Sequence, residues 1–176
     1  IGMSRSGKAR QPDVVKNIAN IEYIKGDCNQ PETYRHVLPE ITGCIHTVGN
    51  LIEGKKGDYA KSYKAMNRDT AINMAREINA LGKPAPFVML SSAKPPPFLP
   101  EYINTKIEAE NFILDECPNL IPVIIRPGFI WNKEHRGWSI PLRYGCEFAY
   151  QLNDKVYKHL PFAKATDFLF PAKPTK

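Results

Sequence analysis

Tyr102 and Lys106 stand four residues apart in "EYINTK", and Ser92 precedes them in "MLSSA". On a helix, residues i and i+4 share a face, so phenol and ammonium become neighbours. An ammonium beside a phenol favours the phenolate and lowers the phenol's pKa. A phenol tuned in that way gives and takes a proton near neutral pH. Ser92, at the end of an apolar run, is placed to hold a substrate oxygen by a hydrogen bond. The spacing Y-x-x-x-K alone is weak, because the same letters fall on many solvated helix faces. Its setting adds weight: it lies between a run ending Ser91-Ser92 and one ending Arg126-Pro127-Gly128.

The elements that must position these groups are legible as an alternation. "IEYIKGD" (21–27), "GCIHTVG" (43–49), "PFVMLSSA" (86–93) and "IPVIIRPGFIW" (121–131) read as strands. "PETYRHVLPE" (31–40) reads as a short helix, and 58–83 and 101–116 as longer ones. Ala71, Met74, Ala75 and Ile78 fall at i, i+3, i+4 and i+7, an apolar helix stripe, with Gly82 as its C-terminal stop. Strands that are continuously apolar predict a sheet covered on both faces. With helices between the strands, the expected fold is α/β, a Rossmann-like, doubly wound parallel sheet. The core is expected over 1–131, and a small, irregular, aromatic C-terminal cap over 132–176.

The start of the chain departs from that pattern. "IGMSRSGKAR" reads as the end of a strand, and no glycine-rich phosphate turn such as G-x-x-G-x-x-G occurs anywhere. In the 3-2-1-4-5-6 order of such sheets the first strand is central. Without it, two strand edges and an apolar slot would be exposed. The expectation is that a first strand and glycine loop lie upstream. The alternative is that "IGMS" is itself the first strand.

Bulk properties exclude several classes. The 176 residues suffice for one buried core. No apolar run reaches membrane-spanning length, so no transmembrane segment is expected. The net charge of +6 suits a solvated basic surface or an anionic ligand. Lys and Arg are scattered rather than striped, which argues against nucleic-acid binding. Cys28, Cys44, Cys117 and Cys146 make no C-x-x-C pair, and His36, His46, His135 and His159 have no ligand spacing, so no metal is expected. Widely spaced thiols suit a reducing compartment.

The ordered set "SRSGK", "KGD", "IHTVG", "YKAMNRDTA", "LSSA", "YINTK" and "IIRPGFIW" resembles the short-chain dehydrogenase/reductase (SDR) superfamily, in its extended or atypical form. The resemblance runs from Ile1 to about Trp131. "YKAMNRDTAINMA" and "DFLFPAK" resemble most a fungal mitochondrial branch tied to coenzyme Q biosynthesis, and a nucleotide-binding accessory subunit of respiratory complex I is a more distant likeness. The resemblance implies a catalytic Ser92, Tyr102 and Lys106, with Asn67 ordering the active site. It implies that Ser4, Arg5 and Ser6 meet the adenosine ribose, where Arg suits the 2′-phosphate of NADP and an acidic residue would suit NAD. "SRSGK" read without it is equally a polar turn. Asp27 and Cys28 are implied near the adenine ring, and Thr47, Val48 and Gly49 beside the cofactor. Pro127 and Gly128 are implied at the nicotinamide end, and Tyr102 and Lys106 against the cofactor as well. NADP is the expected cofactor, with NAD as the alternative.

Two functional readings stay open. One is an NADP-dependent oxidoreductase acting on a carbonyl or alcohol, mitochondrial by resemblance, in ubiquinone biosynthesis. The other is a non-catalytic, nucleotide-stabilised subunit that docks on proteins of a mitochondrial biosynthetic complex. The aromatic stretch after Trp131, including Trp138, Tyr144, Phe148, Tyr150, Tyr157, Phe162, Phe168 and Phe170, suits a quinone-sized pocket wall, a docking face or the core of the cap. Pro95, Pro96 and Pro97 stiffen the loop between Ser92 and Tyr102 and leave little room for a large substrate loop. The short C-terminal part argues against a nucleotide-sugar substrate.

Overall fold

The computed structural model describes residues 1–9, 20–93 and 99–128, together with Ile140, Pro141, Tyr144, Gly145, Glu147, Phe148 and Gln151. Among the described residues five parallel strands carry the fold: β1 (Gly2–Ser4), β2 (Tyr23–Lys25), β3 (Cys44–His46), β4 (Ala85–Leu90) and β5 (Leu120–Ile125). They form two sheets, β1-β2 and β3-β4-β5, all pairings parallel. Hydrogen bonds carry the β4–β5 ladder past the strands: Ser91 N donates to the Ile125 carbonyl and Ala93 N to the Pro127 carbonyl, each at 2.8 Å.

Two helices pack on the larger sheet, α1 (Thr70–Asn79) and α2 (Pro100–Glu116), the latter started by Pro100 in its first turn. The predicted stripe of Ala71, Met74, Ala75 and Ile78 is buried against Phe87 and Met89 of β4 and Ala109 and Ile113 of α2. A fully buried isoleucine such as Ile78 contributes roughly 1.5–3 kcal/mol by leaving water. Gly82, at φ +67°, ends the segment in the left-handed conformation that suits glycine.

Two expectations need correction. The helix predicted over 58–83 is broken into a 3-10 turn (Tyr59–Lys61), a π-helical turn (Lys64–Asp69) and α1. The widened π turn coincides with Asn67, whose side chain is committed to another loop. The predicted helix over 31–40 is two 3-10 turns, Pro31–Thr33 and Arg35–Glu40, the second carrying Pro39, which has no N–H to give to an α-helical ladder. Coverage on both sheet faces is not found among the described residues. α1 and α2 cover one face, while Ile45, Ile121, Val123 and Ile125 on the other are exposed.

The slot expected from the strand order is present. Among the described residues nothing pairs the inner edges of β1 and β3, and a cavity of about 180 Å³ lies there. Ile1 and Met3 of the β1 side and Cys44, Ile45 and Val48 of the β3 side line it, together with Tyr34 and Leu38. Pro95 to Pro97, Trp131 and most of the cap over 132–176, with Cys146, His135 and His159, lie outside the described residues. Of its aromatics, Tyr144 and Phe148 are described, and both are exposed. No described helix is long and apolar enough to cross a membrane.

Candidate functional site

The site begins with the loop that leaves β3. Gly49 closes against the π turn so tightly that a Cβ there would sit 2.8 Å from Asn67 Oδ1 and 3.4 Å from Lys106 Nζ. Asn67 is fully buried and clamps the next residue from both sides. Its Oδ1 accepts from Asn50 N at 2.8 Å, and its Nδ2 donates to the Asn50 carbonyl at 3.1 Å. The π turn supplies this reach by presenting Asn67 one step off the α-helical register. Asn29 fastens the other side, donating to the Ala65 carbonyl at 3.2 Å.

Lys106 comes from α2 and is 5% exposed. Its ammonium donates to the Leu90 carbonyl at the end of β4, 3.0 Å away, and lies 5.8 Å from the centroid of the Tyr102 ring. Tyr102 is half-buried one turn earlier and meets Tyr63 edge-on, ring centroids 5.9 Å apart. Burial draws the Lys106 pKa below that of an ordinary lysine, and the carboxylate of Glu110 pulls it back up. The structure thus brings Gly49, Asn67, Lys106 and Tyr102 together at the carboxyl ends of β3 and β4, where ligands bind in open α/β sheets. Ser92 is half-buried two residues past β4. Pro127 and Gly128 are half-buried just past β5, and Pro127 is joined to the Ser92 loop by the Ala93 hydrogen bond.

The remaining expected residues lie across the slot. Ser4 closes β1, and Ser4 to Gly7 form a turn with Gly7 N on the Ser4 carbonyl at 3.1 Å and Gly7 at φ +70°. Ser4 Oγ lies 3.3 Å from Ser6 Oγ and accepts from Lys8 N at 3.1 Å, while Arg5 is exposed. Asp27 caps the turn after β2 by accepting from Asn29 N at 2.9 Å. Cys28 is buried, and burial pushes its thiol up to about 11. Cys44 is pushed up to about 12 by the same cause. Both are therefore neutral thiols, not nucleophiles. Thr47 is exposed and Val48 half-buried between the slot and Gly49.

Several groups at the site escaped the sequence reading. Glu110 is buried and accepts hydrogen bonds from Ser91 and Arg126. Its signal was there: Tyr102, Lys106 and Glu110 fall at i, i+4 and i+8 on one helix face. His46 is 3% exposed, stacked on Phe87 at 6.3 Å, with both ring nitrogens unpaired. Burial, and then the Lys106 charge, lower its pKa to about 4, so the ring is neutral. No cluster among the described residues has the composition to hold a metal ion.

Comparison with known proteins agrees with this fold. Residues 55–158, more than half of the chain, match the model of an NAD-binding family described as "Male sterility protein". A Saccharomyces cerevisiae protein, MIOREX complex component 2, is 24% identical over 77% of this chain and 65% of its own length. Among solved structures, the Bordetella bronchiseptica enzyme WbmG in complex with NAD and UDP superposes with a TM-score of 0.58 at 16% identity, over 84% of this chain and 51% of that one. Pal from Bacillus thuringiensis gives 0.58 at 15%, over 83% and 54%. RMD from Pseudomonas aeruginosa complexed with NADPH gives 0.51 at 15%, over 82% and 58%. The chain thus spans just under two thirds of the yeast relative and a little over half of these solved structures. At such identity the solved structures establish the Rossmann-like α/β fold.

Proposed function

The chain belongs to this NAD-binding family of extended short-chain dehydrogenases/reductases, and from that premise we propose that it binds a nicotinamide dinucleotide and is an NADP-dependent oxidoreductase for a carbonyl or alcohol. One observation carries the reading: a buried lysine held by the Leu90 carbonyl, beside Asn67 and the close-packed Gly49, with Tyr102 one turn away at the strand ends. That combination supplies an ammonium, a phenol and a backbone approach free of side chains at one place. The dinucleotide, when bound, supplies or takes the hydride. Tyr102 moves the proton at the substrate oxygen, Lys106 favours the phenolate, and Ser92 orients that oxygen. Asn67 keeps the Gly49-Asn50 backbone and Lys106 in place. Arg5, exposed beside the Ser4–Gly7 turn, supports NADP over NAD, because a guanidinium suits a 2′-phosphate. That WbmG was solved with NAD and RMD with NADPH supports a dinucleotide of either type. A mitochondrial setting and a quinone-related substrate from ubiquinone biosynthesis follow from the sequence resemblance.

The test is fluorescence titration with NADPH and NADH, followed by turnover with carbonyl substrates, for wild type and Tyr102→Phe. The expected result is NADPH binding in both proteins and turnover lost by about 10²-fold or more in the variant. A wild-type protein that binds neither nucleotide refutes the proposal.

A second reading is favoured by the name of the yeast relative, a component of a complex. In it the nucleotide stabilises the fold and the chain serves as an assembly subunit. Full function of Tyr102→Phe in cells decides for this reading.

A further inference from the structure

The tips of β4 and β5 and the middle of α2 converge on one carboxylate. Glu110 is 3% exposed. Arg126 Nε lies 3.0 Å from its Oε2 and 3.2 Å from its Oε1, and Arg126 Nη2 and Ser91 Oγ also donate to it. Ser91 directly precedes Ser92, and Arg126 directly precedes Pro127-Gly128. The Arg126 side chain is half exposed while that of Glu110 is sealed, so the guanidinium closes over the carboxylate from outside. A buried carboxylate persists only when it is paired and hydrogen-bonded. One turn earlier on the same helix face stands Lys106, sealed from solvent and satisfied by a neutral carbonyl.

We propose that Glu110 is a positioning residue that fixes the Ser92 and Pro127-Gly128 loops against α2 and supplies the counter-charge that keeps Lys106 an ammonium. The other titratable or charged groups around Lys106 are accounted for. From β3, His46 is neutral. From the π turn, Arg68 is engaged with Asp69 and with Glu108. Tyr63 donates to the Leu51 carbonyl at 3.0 Å, and Tyr102 places its ring, not a carboxylate, beside the ammonium. From β5, Arg126 is a second cation sharing the Glu110 carboxylate. Glu110 is thus the anion that opposes the desolvation of Lys106. The catalytic weight of this inference rests on the proposed role of Lys106; the charge coupling does not.

The experiment follows Lys106 by carbon-13 NMR of ε-labelled lysine across pH, in wild type, Glu110→Gln and Glu108→Gln. Loss of an opposite charge one helix turn away on the same face moves a pKa by about one unit or more. Glu110→Gln is expected to titrate Lys106 at least about one pH unit lower, and Glu108→Gln, paired instead with Arg68, at the wild-type position. Lys106 unmoved in Glu110→Gln overturns the inference, even if that variant is less stable, because a merely structural carboxylate would give that result. Should Glu110→Gln not fold, the wild-type Glu110 carboxyl resonance decides: an inflection at the Lys106 midpoint supports the coupling, and a flat trace there refutes it. NADPH titration of wild type reads the nucleotide proposal separately. Absence of binding with a displaced Lys106 titration in Glu110→Gln sinks that proposal and sustains this one.

Discussion

Replacing Gly49 by alanine puts one methyl group into the tightest contact of the site. The new Cβ would lie 2.8 Å from Asn67 Oδ1 and 3.4 Å from Lys106 Nζ. Gly49 is not among the glycines with positive φ, so no backbone strain enters and the effect is steric. A carbon–oxygen contact of 2.8 Å is too short to persist, so either the loop or Asn67 must move. Asn67 is fully buried and holds both polar groups of Asn50. Displacing it leaves a buried amide short of partners, at a cost of about 1–3 kcal/mol. For a chain of this size each kcal/mol is worth about 2–4 °C of Tm, so Gly49→Ala is expected to melt about 2–12 °C lower. Calorimetry measures this directly. A double-mutant cycle with Asn67→Ala identifies the cause. Once the amide is gone the methyl has room, so the second substitution adds far less than the sum of the two single effects. NADPH affinity is expected to fall in Gly49→Ala along with stability, because the backbone there forms the proposed cofactor wall. A variant with unchanged Tm, or a cycle that is additive, refutes the claim that the Gly49–Asn67 contact organises the site.

Two further outcomes are expected. His46 has a folded pKa of about 4 against an ordinary value of 6.5, so the unfolded chain binds the extra proton between those values. The stability this confers is present above pH 6.5 and is lost as pH falls toward 4, by at most about 3 kcal/mol; urea unfolding across that window should show the loss in wild type and about one proton less pH dependence in His46→Leu. Arg5→Ala is expected to weaken NADPH by about tenfold or more while leaving NADH nearly unchanged, as nucleotide titrations would reveal; equal losses remove the 2′-phosphate argument.

The parts of the fold that depend on long periodic patterns were legible in the sequence. The Ala71, Met74, Ala75 and Ile78 stripe gave α1 its buried face, and the apolar runs around Phe87 and Ile124 gave β4 and β5. The breaks in the helix before Asp69 were not legible, because they are set by tertiary hydrogen bonds. Asn67 reaches back to Asn50, and Glu53 accepts from Tyr63 N at 3.0 Å. Local propensity contains none of those partners. Glu110 was missed for a related reason. A glutamate on a helix reads as solvated until the arginine that seals it, sixteen residues on, is known to lie at the tip of β5. Apolar strands likewise report that both faces favour burial, not what covers them, which is why the exposure of Ile121, Val123 and Ile125 came from the structure.

The division of the sheet sorts the candidate residues into two groups with different mechanical support. Gly49, Asn67, Lys106, Tyr102, Ser92 and Pro127 all hang on β3, β4 and β5, the π turn and α2, tied to one another by backbone hydrogen bonds and the Glu110 network. Ser4, Arg5, Ser6 and Asp27 hang on β1 and β2, and no ladder joins those strands to β3 among the described residues. Side chains span the gap instead: Tyr34 and Cys28 join the core that holds Met74, and Asn29 reaches both Ala65 and Asn73. A dinucleotide bound as proposed must touch both groups, with its adenosine end on one and its nicotinamide end on the other. The Lys106 titration reads the group on β3, β4 and β5 alone, so a substitution on β1 or β2 is expected to leave it unmoved.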